Sequence, residues 1–161
     1  MKQRVDNIQH KNNIRHHAAL ALSGGVDSAV AAYLLREKGY AVTCYFMQCW
    51  DNGEDGCRVD SDYQVALSVA SYLGLPLYKL DFRTEYRNKV FESMLRSIEK
   101  GETPNPDVLC NSEIKFKVFV DYVTSKHPES FIATGHYASV IDLSTAVNYG
   151  VYNIPMLTVG R

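Results

Sequence analysis

Short apolar runs alternate with longer segments of helical periodicity along most of the chain. The runs are rich in β-forming residues and stay apolar at successive positions, which is typical of strands covered on both faces of a parallel sheet. They lie at 17–22, 41–47, 76–80 and 131–134. The segments between them repeat apolar residues at helical spacing, at 29–38, 65–73, 90–98 and 112–123. This alternation predicts an α/β fold, a doubly wound parallel sheet of about four to five strands with helices on both faces.

Polar and glycine residues mark where the predicted helices begin and end. Gly39, Gly74 and Gly101 each follow a periodic segment, and glycine is the commonest residue just after a helix. Asp-Ser-Asp at 60–62 supplies an N-cap for the second helix, and Thr84 is a candidate cap for the third.

A glycine-rich turn joins the first strand to the first helix. Its sequence is Ser-Gly-Gly-Val-Asp-Ser, beginning at Ser23. Gly24 and Gly25 allow positive φ and a close approach to an anion, and the following helix directs N–H groups at it. The two serines can donate hydroxyls to phosphate, and Ser28 is also a plausible N-cap. Asp27 fits best beside Mg²⁺ that bridges phosphates.

This turn differs from two common nucleotide-binding loops. It lacks the Gly-Lys-Ser/Thr ending of a Walker A loop, and it does not match Gly-x-Gly-x-x-Gly, so a dinucleotide site is disfavoured. A serine-glycine turn before an ordinary core helix is the remaining alternative. No residues are assigned to a resident metal site, because Cys49 and Cys57 flank an acidic loop without CxxC spacing or a nearby histidine.

A proline-rich segment at 103–111 is the second candidate for chemistry. Prolines at 104 and 106 oppose helix, so we expect a stiff loop, with the next helix beginning at Ser112. Cys110 would then lie just ahead of a helix N-terminus, a position that favours the nucleophilic thiolate. An inert buried cysteine is the alternative for Cys110.

Three further residues lie at the carboxyl ends of predicted strands, where open α/β sheets bind ligands. Met47 ends the second strand and is either a ligand contact or a core methionine. Gly135 follows the last strand and is expected to permit close passage of a nucleotide. His136 is expected to contact phosphate, with a backbone hydrogen bond as the alternative.

Composition excludes few functions. The chain has 161 residues, is 46% hydrophobic and 22% charged, and has a net charge of −1, so charge alone gives no argument for nucleic acid. We expect no membrane partner, because no apolar run approaches a bilayer span. Four scattered cysteines favour a reducing compartment. Residues 1–16 are basic and polar; they are interpreted as a tail, with a mitochondrial presequence as the alternative, so the expected location is the cytoplasm or the mitochondrial matrix.

Four motifs occur in one order: the turn beginning at Ser23, Phe46-Met47, Thr-Pro-Asn-Pro-Asp-x-x-Cys-Asn with Glu-Ile-Lys-Phe after it, and Ala-Thr-Gly-His-Tyr from Ala133. Over about 18–138 the chain resembles the catalytic domain of the tRNA-specific 2-thiouridylases. These are PP-loop enzymes of the N-type ATP pyrophosphatases, with an adenine nucleotide alpha hydrolase-like fold.

The resemblance implies ATP-dependent 2-thiolation of the wobble uridine of tRNA. ATP, with Mg²⁺, adenylates the C2 oxygen, and sulfur from a cysteine persulfide then displaces AMP. It implies tRNA and a persulfide donor protein as partners. Cys110 would be the nucleophile with Asp107 as its acid–base partner, and Asn105, Pro106 and Asp107 would meet the base. The implied ATP site comprises Ala21, Leu22, Ser23, Gly24, Gly25, Val26, Asp27, Ser28, Met47, Gly135 and His136.

The chain departs from that family pattern after the fourth strand. The family's second cysteine, in a downstream Gly-x-Cys-Phe motif, has no counterpart here, and its later domains are not found. We therefore divide the chain into a tail at 1–16, a catalytic domain at 17–141 and a divergent tail at 142–161. Sulfur transfer by this chain alone is expected to be incomplete. A non-catalytic ATP-binding remnant, or another PP-loop adenylating enzyme, stays open.

Overall fold

Four parallel strands form the sheet of the described part of the chain. The computed structural model describes residues 16–50 and 57–137. The strands are β1 His17–Ala21, β2 Ala41–Gln48, β3 Leu77–Asp81 and β4 Phe131–Ala133, in the spatial order β3-β2-β1-β4. In the register, Leu20 pairs with Cys44 on one side and with Ala133 on the other. β2 and β3 are added on one side of β1, and β4 is added on the other. The strand order therefore reverses at the boundary between β1 and β4, and sheets of this kind bind ligands at such a switch point.

Helices cover the sheet and include two segments with wider π-helical turns. The α-helices are α1 Val26–Glu37, α2 Cys57–Leu73, α3 Arg83–Tyr86, α4 Glu92–Glu99, α5 Pro106–Leu109 and α6 Phe119–Lys126. The π-helical segments are π1 Arg87–Phe91, between α3 and α4, and π2 Cys110–Val118, between α5 and α6.

The two faces of the sheet bury separate apolar clusters. Residues of β1 and Leu22, which follows it, alternate between them: Ala19 and Ala21 face one cluster, and Leu20 and Leu22 face the other. The cluster of Leu20 includes α1 and α2, whereas the cluster of Ala19 includes Phe82, π1, π2 and α6. Because both faces are covered, β1 has no polar face, and the predicted doubly wound α/β fold is confirmed.

The structure corrects two predicted helix boundaries. The second helix begins at Cys57, ahead of the aspartates predicted to cap it. The third begins at Arg83, one residue before Thr84, and follows Phe82 without a side-chain cap. The third helix buries none of its residues and has no side-chain cap among the described residues, so the cap preference of Thr84 did not set its start.

Some sequence predictions fall outside the described residues. These are the tail at 1–15, the domain boundary at 141 and the tail at 142–161. Among the helices that the structure describes, none is long and apolar enough to cross a bilayer.

Candidate functional site

A cavity of about 380 Å³ opens at the carboxyl ends of the strands. This volume lies within the range of small-molecule sites. Its walls come from the glycine-rich turn, the end of β2, the end of β4 and one lysine of π2. The lining residues are Ala21, Leu22, Ser23, Gly25, Asp27, Ser28, Phe46, Met47, Gln48, Cys49, Trp50, Asp62, Lys115, Thr134, Gly135 and His136.

The glycine-rich turn leads into α1, and the N-terminus of this helix has no side-chain cap in the described part of the chain. Gly25 is the N-cap residue, and no described side chain caps the first turn. Ser28, predicted as an N-cap, lies inside the helix: its hydroxyl donates to the Gly25 carbonyl at 2.9 Å and accepts from the Ser23 N–H at 3.2 Å. Ser28 thus holds the turn in shape and leaves the positive end of α1 directed at the cavity.

Gly24 is required by two independent features of this turn. Its φ is +87°, a left-handed conformation that side chains disfavour. A Cβ at this position would also lie 2.6 Å from the Asp62 carbonyl oxygen of α2. The turn is therefore pressed against α2, which fixes the orientation of its neighbours.

Gly135 allows the end of β4 to pack against the start of α1. A Cβ there would lie 2.5 Å from the Ser28 nitrogen and 2.9 Å from the Asp27 carbonyl carbon, both main-chain atoms. The sequence prediction attributed the need for glycine to a passing nucleotide. The structure shows a contact with the chain's own helix that also requires glycine, and passage of a nucleotide stays a prediction.

His136 links β4 to the segment that carries Cys110. Its Nδ1 lies 2.9 Å from the Thr134 hydroxyl and its Nε2 lies 3.3 Å from Asn111 Oδ1. An Asn oxygen only accepts, so Nε2 carries the proton. Burial, and then the charge of Lys115, lower the pKa of His136, which favours the neutral ring. His136 therefore borders the cavity, and its ring nitrogens meet side chains and not backbone. Its contact with phosphate stays a prediction.

Tyr137 joins the same strand end to the turn. Its hydroxyl donates to Asp27 Oδ1 at 3.0 Å, and both side chains are exposed. The Asp27 carboxylate is thereby held at the mouth of the cavity, with its second oxygen available to another ligand.

The proline-rich segment turns into helix earlier than predicted. Asn105 is the N-cap, its Oδ1 accepting from the Asp107 N–H at 3.0 Å, and Pro106 is the first helical residue. Proline suits that position because its fixed φ matches a helix and its missing N–H is not needed there. Cys110 therefore lies one turn inside the helical segment, and the prediction that it precedes a helix beginning at Ser112 is wrong.

The Cys110 thiol is activated by its neighbours. A hydrogen bond from the Cys49 thiol, together with the charge of Lys115, lowers the pKa of Cys110 to about 7, against burial and Asp107, which both raise it. The same hydrogen bond is the largest cause that raises the pKa of Cys49. The pair therefore loses its first proton from Cys110, and the thiolate predicted from helix position arises instead from a second cysteine and a lysine.

Residues 16–152 match the family model described as the tRNA methyl transferase HUP domain. The chain belongs to this family. Family members with the name tRNA-specific 2-thiouridylase MnmA share 47% identity over 133 residues in Aster yellows witches'-broom phytoplasma and 48% over 128 residues in Geobacillus kaustophilus. These alignments cover 76% and 78% of this chain but 35% and 34% of the relatives. The chain thus spans about a third of the length of the curated relatives it matches.

Solved structures support the fold of this HUP domain. The U34-tRNA thiolase NcsA from Methanococcus maripaludis, described with its [4Fe-4S] cluster, superposes with a TM-score of 0.55 at 21% identity, and the match covers 76% of this chain and 39% of that one. A predicted subunit of tRNA methyltransferase from Methanocaldococcus jannaschii gives a TM-score of 0.50 at 17% identity, covering 76% and 53% of the two chains. Both agree with the predicted adenine nucleotide alpha hydrolase-like class.

The structure brings most of the residues predicted for ATP to the cavity wall of this HUP domain. Those that line it are Ala21, Leu22, Ser23, Gly25, Asp27, Ser28, Met47, Gly135 and His136. The other predicted site residues do not line it: Gly24, Val26, Asn105, Pro106, Asp107 and Cys110. Gly24 lies where the turn packs against Asp62 of α2, and Val26 is exposed. Cys110 reaches the cavity through its contact with Cys49, which does line it.

Sequence reasoning missed several lining residues. They are Gln48, Cys49, Trp50, Asp62, Lys115 and Thr134, together with Phe46, which had entered only as part of a motif. A signal existed for the first three, because they directly follow Met47 at a strand end. Lys115 belongs to the Glu-Ile-Lys-Phe motif that carried the resemblance, but nothing local marked it as a cavity residue.

Alkylation of Cys110 by iodoacetamide is expected to rise with pH through about 7. A thiol with an unperturbed pKa would be only a few per cent ionised at pH 7, whereas Cys110 would be about half ionised. Because the thiolate reacts, the rate should fall about tenfold per pH unit well below that point. Mass spectrometry of the tryptic peptide that contains Cys110 measures the rate.

Lys115→Ala tests the cause of this activation. Removing its charge should move the alkylation profile to higher pH, since Cys49, Asp107 and Tyr86 remain and none is a cation. Lys117→Ala is the matched control, because Lys117 pairs with Glu113 at 3.3 Å. Equal profiles for the two variants would contradict the role given to Lys115.

Proposed function

We propose that this chain is the ATP-dependent, base-activating domain of an enzyme that 2-thiolates the wobble uridine of tRNA. One observation carries the proposal: the uncapped N-terminus of α1 and the Cys110 thiol, whose pKa is lowered, lie at the same edge of the sheet. The first turn of α1 borders the cavity, and Cys110 contacts it through Cys49. Phosphate binding and sulfur chemistry can therefore act on one substrate.

The cavity's chemistry fits ATP with Mg²⁺. The open end of α1 and the hydroxyl of Ser23 suit phosphate oxygens, and Met47 and Leu22 offer an apolar wall for a base. Asp27 presents a carboxylate at the cavity mouth, a ligand that Mg²⁺ takes together with phosphates. When bound, the ion would neutralise charge on the pyrophosphate leaving group.

Each residue of the proline segment has a place in the proposed reaction. Asn105, Pro106 and Asp107 form the exposed start of α5 and would receive the flipped uridine. The C2 oxygen takes the adenylyl group, because an unactivated urea-like oxygen is a poor leaving group. The donor persulfide would pass its outer sulfur to Cys110 and leave as a thiol, and that sulfur would attack C2 as AMP departs. A second thiol would then attack the Cys110 sulfur and break the S–S bond, which leaves the thiocarbonyl on the base. Asp107 would assist the proton transfers.

The proposal implies partners and a compartment. The names of the relatives support tRNA as the substrate of the whole protein. A persulfide protein would supply the sulfur. Free cysteines persist in reducing compartments, so the cytoplasm or the mitochondrial matrix fits the proposal.

ATP with Mg²⁺ is expected to raise the melting temperature of the chain. Ligand at about one hundred times its Kd stabilises by about 2.7 kcal/mol, which corresponds to a rise of roughly 5–10 °C for a chain of this size. Asp27→Ala should remove most of the rise, because the carboxylate beside the phosphates is lost. Differential scanning fluorimetry measures the effect.

Asp121→Ala is the matched control for that experiment. It makes the same substitution at an exposed position of α6, away from the cavity, and should keep the full ATP effect. No shift with the unaltered chain would overturn the nucleotide site.

The thiolation reaction is tested by measuring its product, 2-thiouridine in tRNA. Unmodified tRNA, ATP, Mg²⁺ and a persulfide donor are incubated with the chain, and the digested RNA is assayed for 2-thiouridine by mass. Product supports the proposal. ATP binding without product contradicts it for this chain and favours the nucleotide-binding remnant.

A further inference from the structure

Cys49 and Cys110 are brought together from two distant parts of the chain. Cys49 directly follows β2, and Cys110 begins π2. Both are partly buried and pack against the same apolar cluster, that of Ala19 and Phe119. Their side chains are in hydrogen-bond contact. A disulfide needs its two sulfurs about 2.05 Å apart, so thiols that already lie side by side are the candidates for one.

The surroundings of the pair hold it in place. Trp50, the residue after Cys49, packs with its ring centroid 5.8 Å from that of Tyr86 and 5.0 Å from that of Phe91. These contacts fix the segment after β2 against α3 and π1. Burial, and after it the nearby groups of Cys110 and Cys49, raise the pKa of Tyr86, so this hydroxyl lies beside both cysteines. Cys49 is therefore held in the cavity wall, with Cys110 next to it outside the lining.

We propose that Cys49 and Cys110 are a redox pair that a hydroperoxide closes into an intramolecular disulfide and that a dithiol reductant reopens. The Cys110 thiolate attacks the peroxide, the O–O bond breaks, and Cys110 becomes a sulfenic acid while one oxygen leaves as water or alcohol. The sulfur of Cys49 then attacks the sulfenic sulfur. The S–S bond forms, the S–O bond breaks, and the hydroxyl leaves as water with the Cys49 proton.

The electron balance of this step is complete. Two thiols lose two electrons and two protons, and one peroxide is reduced to two waters, or to water and an alcohol. Reopening needs a dithiol, which is oxidised in turn. The reactive partner is Cys110, because its lowered pKa supplies thiolate near pH 7.

The disulfide would change the cavity in two ways. It removes the Cys110 thiolate and shields that sulfur from irreversible oxidation to the sulfinic and sulfonic acids. It also ties the wall segment after β2 to the helical segment of Cys110. The loss of sulfur transfer rests on the proposed function, whereas formation of the disulfide does not.

The test uses the full chain and hydrogen peroxide, with no tRNA or ATP present. After oxidation, free thiols are blocked, and non-reduced tryptic peptides are analysed by mass spectrometry. The expected product is the peptide containing Cys110 joined to the peptide containing Cys49, with dithiothreitol restoring both. Trypsin leaves Cys44, Cys49 and Cys57 in one peptide, so single variants must identify the partner.

Cys49→Ser should lower the cross-linked fraction more than tenfold and let sulfinic acid accumulate on Cys110. Cys57→Ser and Cys44→Ala are the matched controls and should keep the cross-link; Cys44 is fully buried, and burial raises its pKa to about 11. Cys49→Ala, with a melting curve for each variant, separates loss of the partner thiol from loss of the fold.

Several results would contradict the proposal that Cys49 and Cys110 form a redox pair. They are a cross-link that survives in Cys49→Ser, one that is lost in Cys57→Ser, a disulfide between two copies of the chain, or oxidation of Cys110 to sulfinic acid with no cross-link. Failure of the proposed thiolation would leave this result unaffected, because the assay measures only the disulfide. A functional arm adds product formation before and after dithiothreitol, and oxidised chain should recover its product yield only after reduction.

Discussion

Gly135→Ala is expected to destabilise the chain by about 3 kcal/mol and to weaken its response to ATP. The new Cβ would lie 2.5 Å from the Ser28 nitrogen and 2.8 Å from its Cα, so main-chain atoms and not a flexible side chain must move. Relief requires separation of the end of β4 from α1, whose first turn borders the cavity. The melting temperature should fall by roughly 6–12 °C, and the rise with ATP and Mg²⁺ should shrink.

Gly39→Ala separates crowding from the general effect of replacing a glycine. Gly39 follows α1 with φ of +84°, and a Cβ there would meet nothing within 4 Å. Its expected cost is the backbone strain alone, about 1–2 kcal/mol, and its ATP response should be intact. A Gly135→Ala chain with an unchanged melting temperature would show that β4 and α1 are not packed as described.

The fold was predictable because its two patterns are local. Runs such as 41–47 are apolar at nearly every position, which is typical of a strand covered on both faces. The turn beginning at Ser23 combines a strand end, glycines and a helix start in a few residues. Burial of Ala19 on one side and Leu20 on the other then follows from the two-residue period of a strand.

The parts of the site that escaped prediction depend on contacts between distant segments. Nothing near Cys49 shows that it touches Cys110, because their contact exists only after β2 and π2 pack together. The same holds for Gly135, whose constraint comes from Ser28 in another element.

One error was local in origin. The two prolines argued against helix, but Pro106 occupies the first helical position, the one where proline is favoured. Asn105, the residue before it, is the N-cap and marks where the helix begins. Cys110 therefore lies inside the helical segment and not ahead of it.

Cys110→Ala is expected to abolish formation of 2-thiouridine while leaving ATP binding unchanged. If Cys110 is the sulfur nucleophile, its removal should lower product by about three orders of magnitude or more, the scale seen when an enzyme loses its nucleophile. The residue lies outside the cavity lining, so the ATP-dependent rise in melting temperature should persist. Mass spectrometry of digested tRNA and fluorimetry give the two readings on one preparation.

Cys110→Ser and Cys44→Ala sharpen the comparison. Serine keeps the size and the hydrogen bonding of the site but is far less nucleophilic and cannot carry a persulfide, so it should be as inactive as alanine. Cys44 is buried in β2 in the other apolar cluster, and its loss should leave thiolation intact in a folded chain. Product formation by Cys110→Ala at the level of the unaltered chain would remove the thiol from the mechanism. Loss of ATP binding in the same variant would instead mean that Cys110 supports the shape of the cavity.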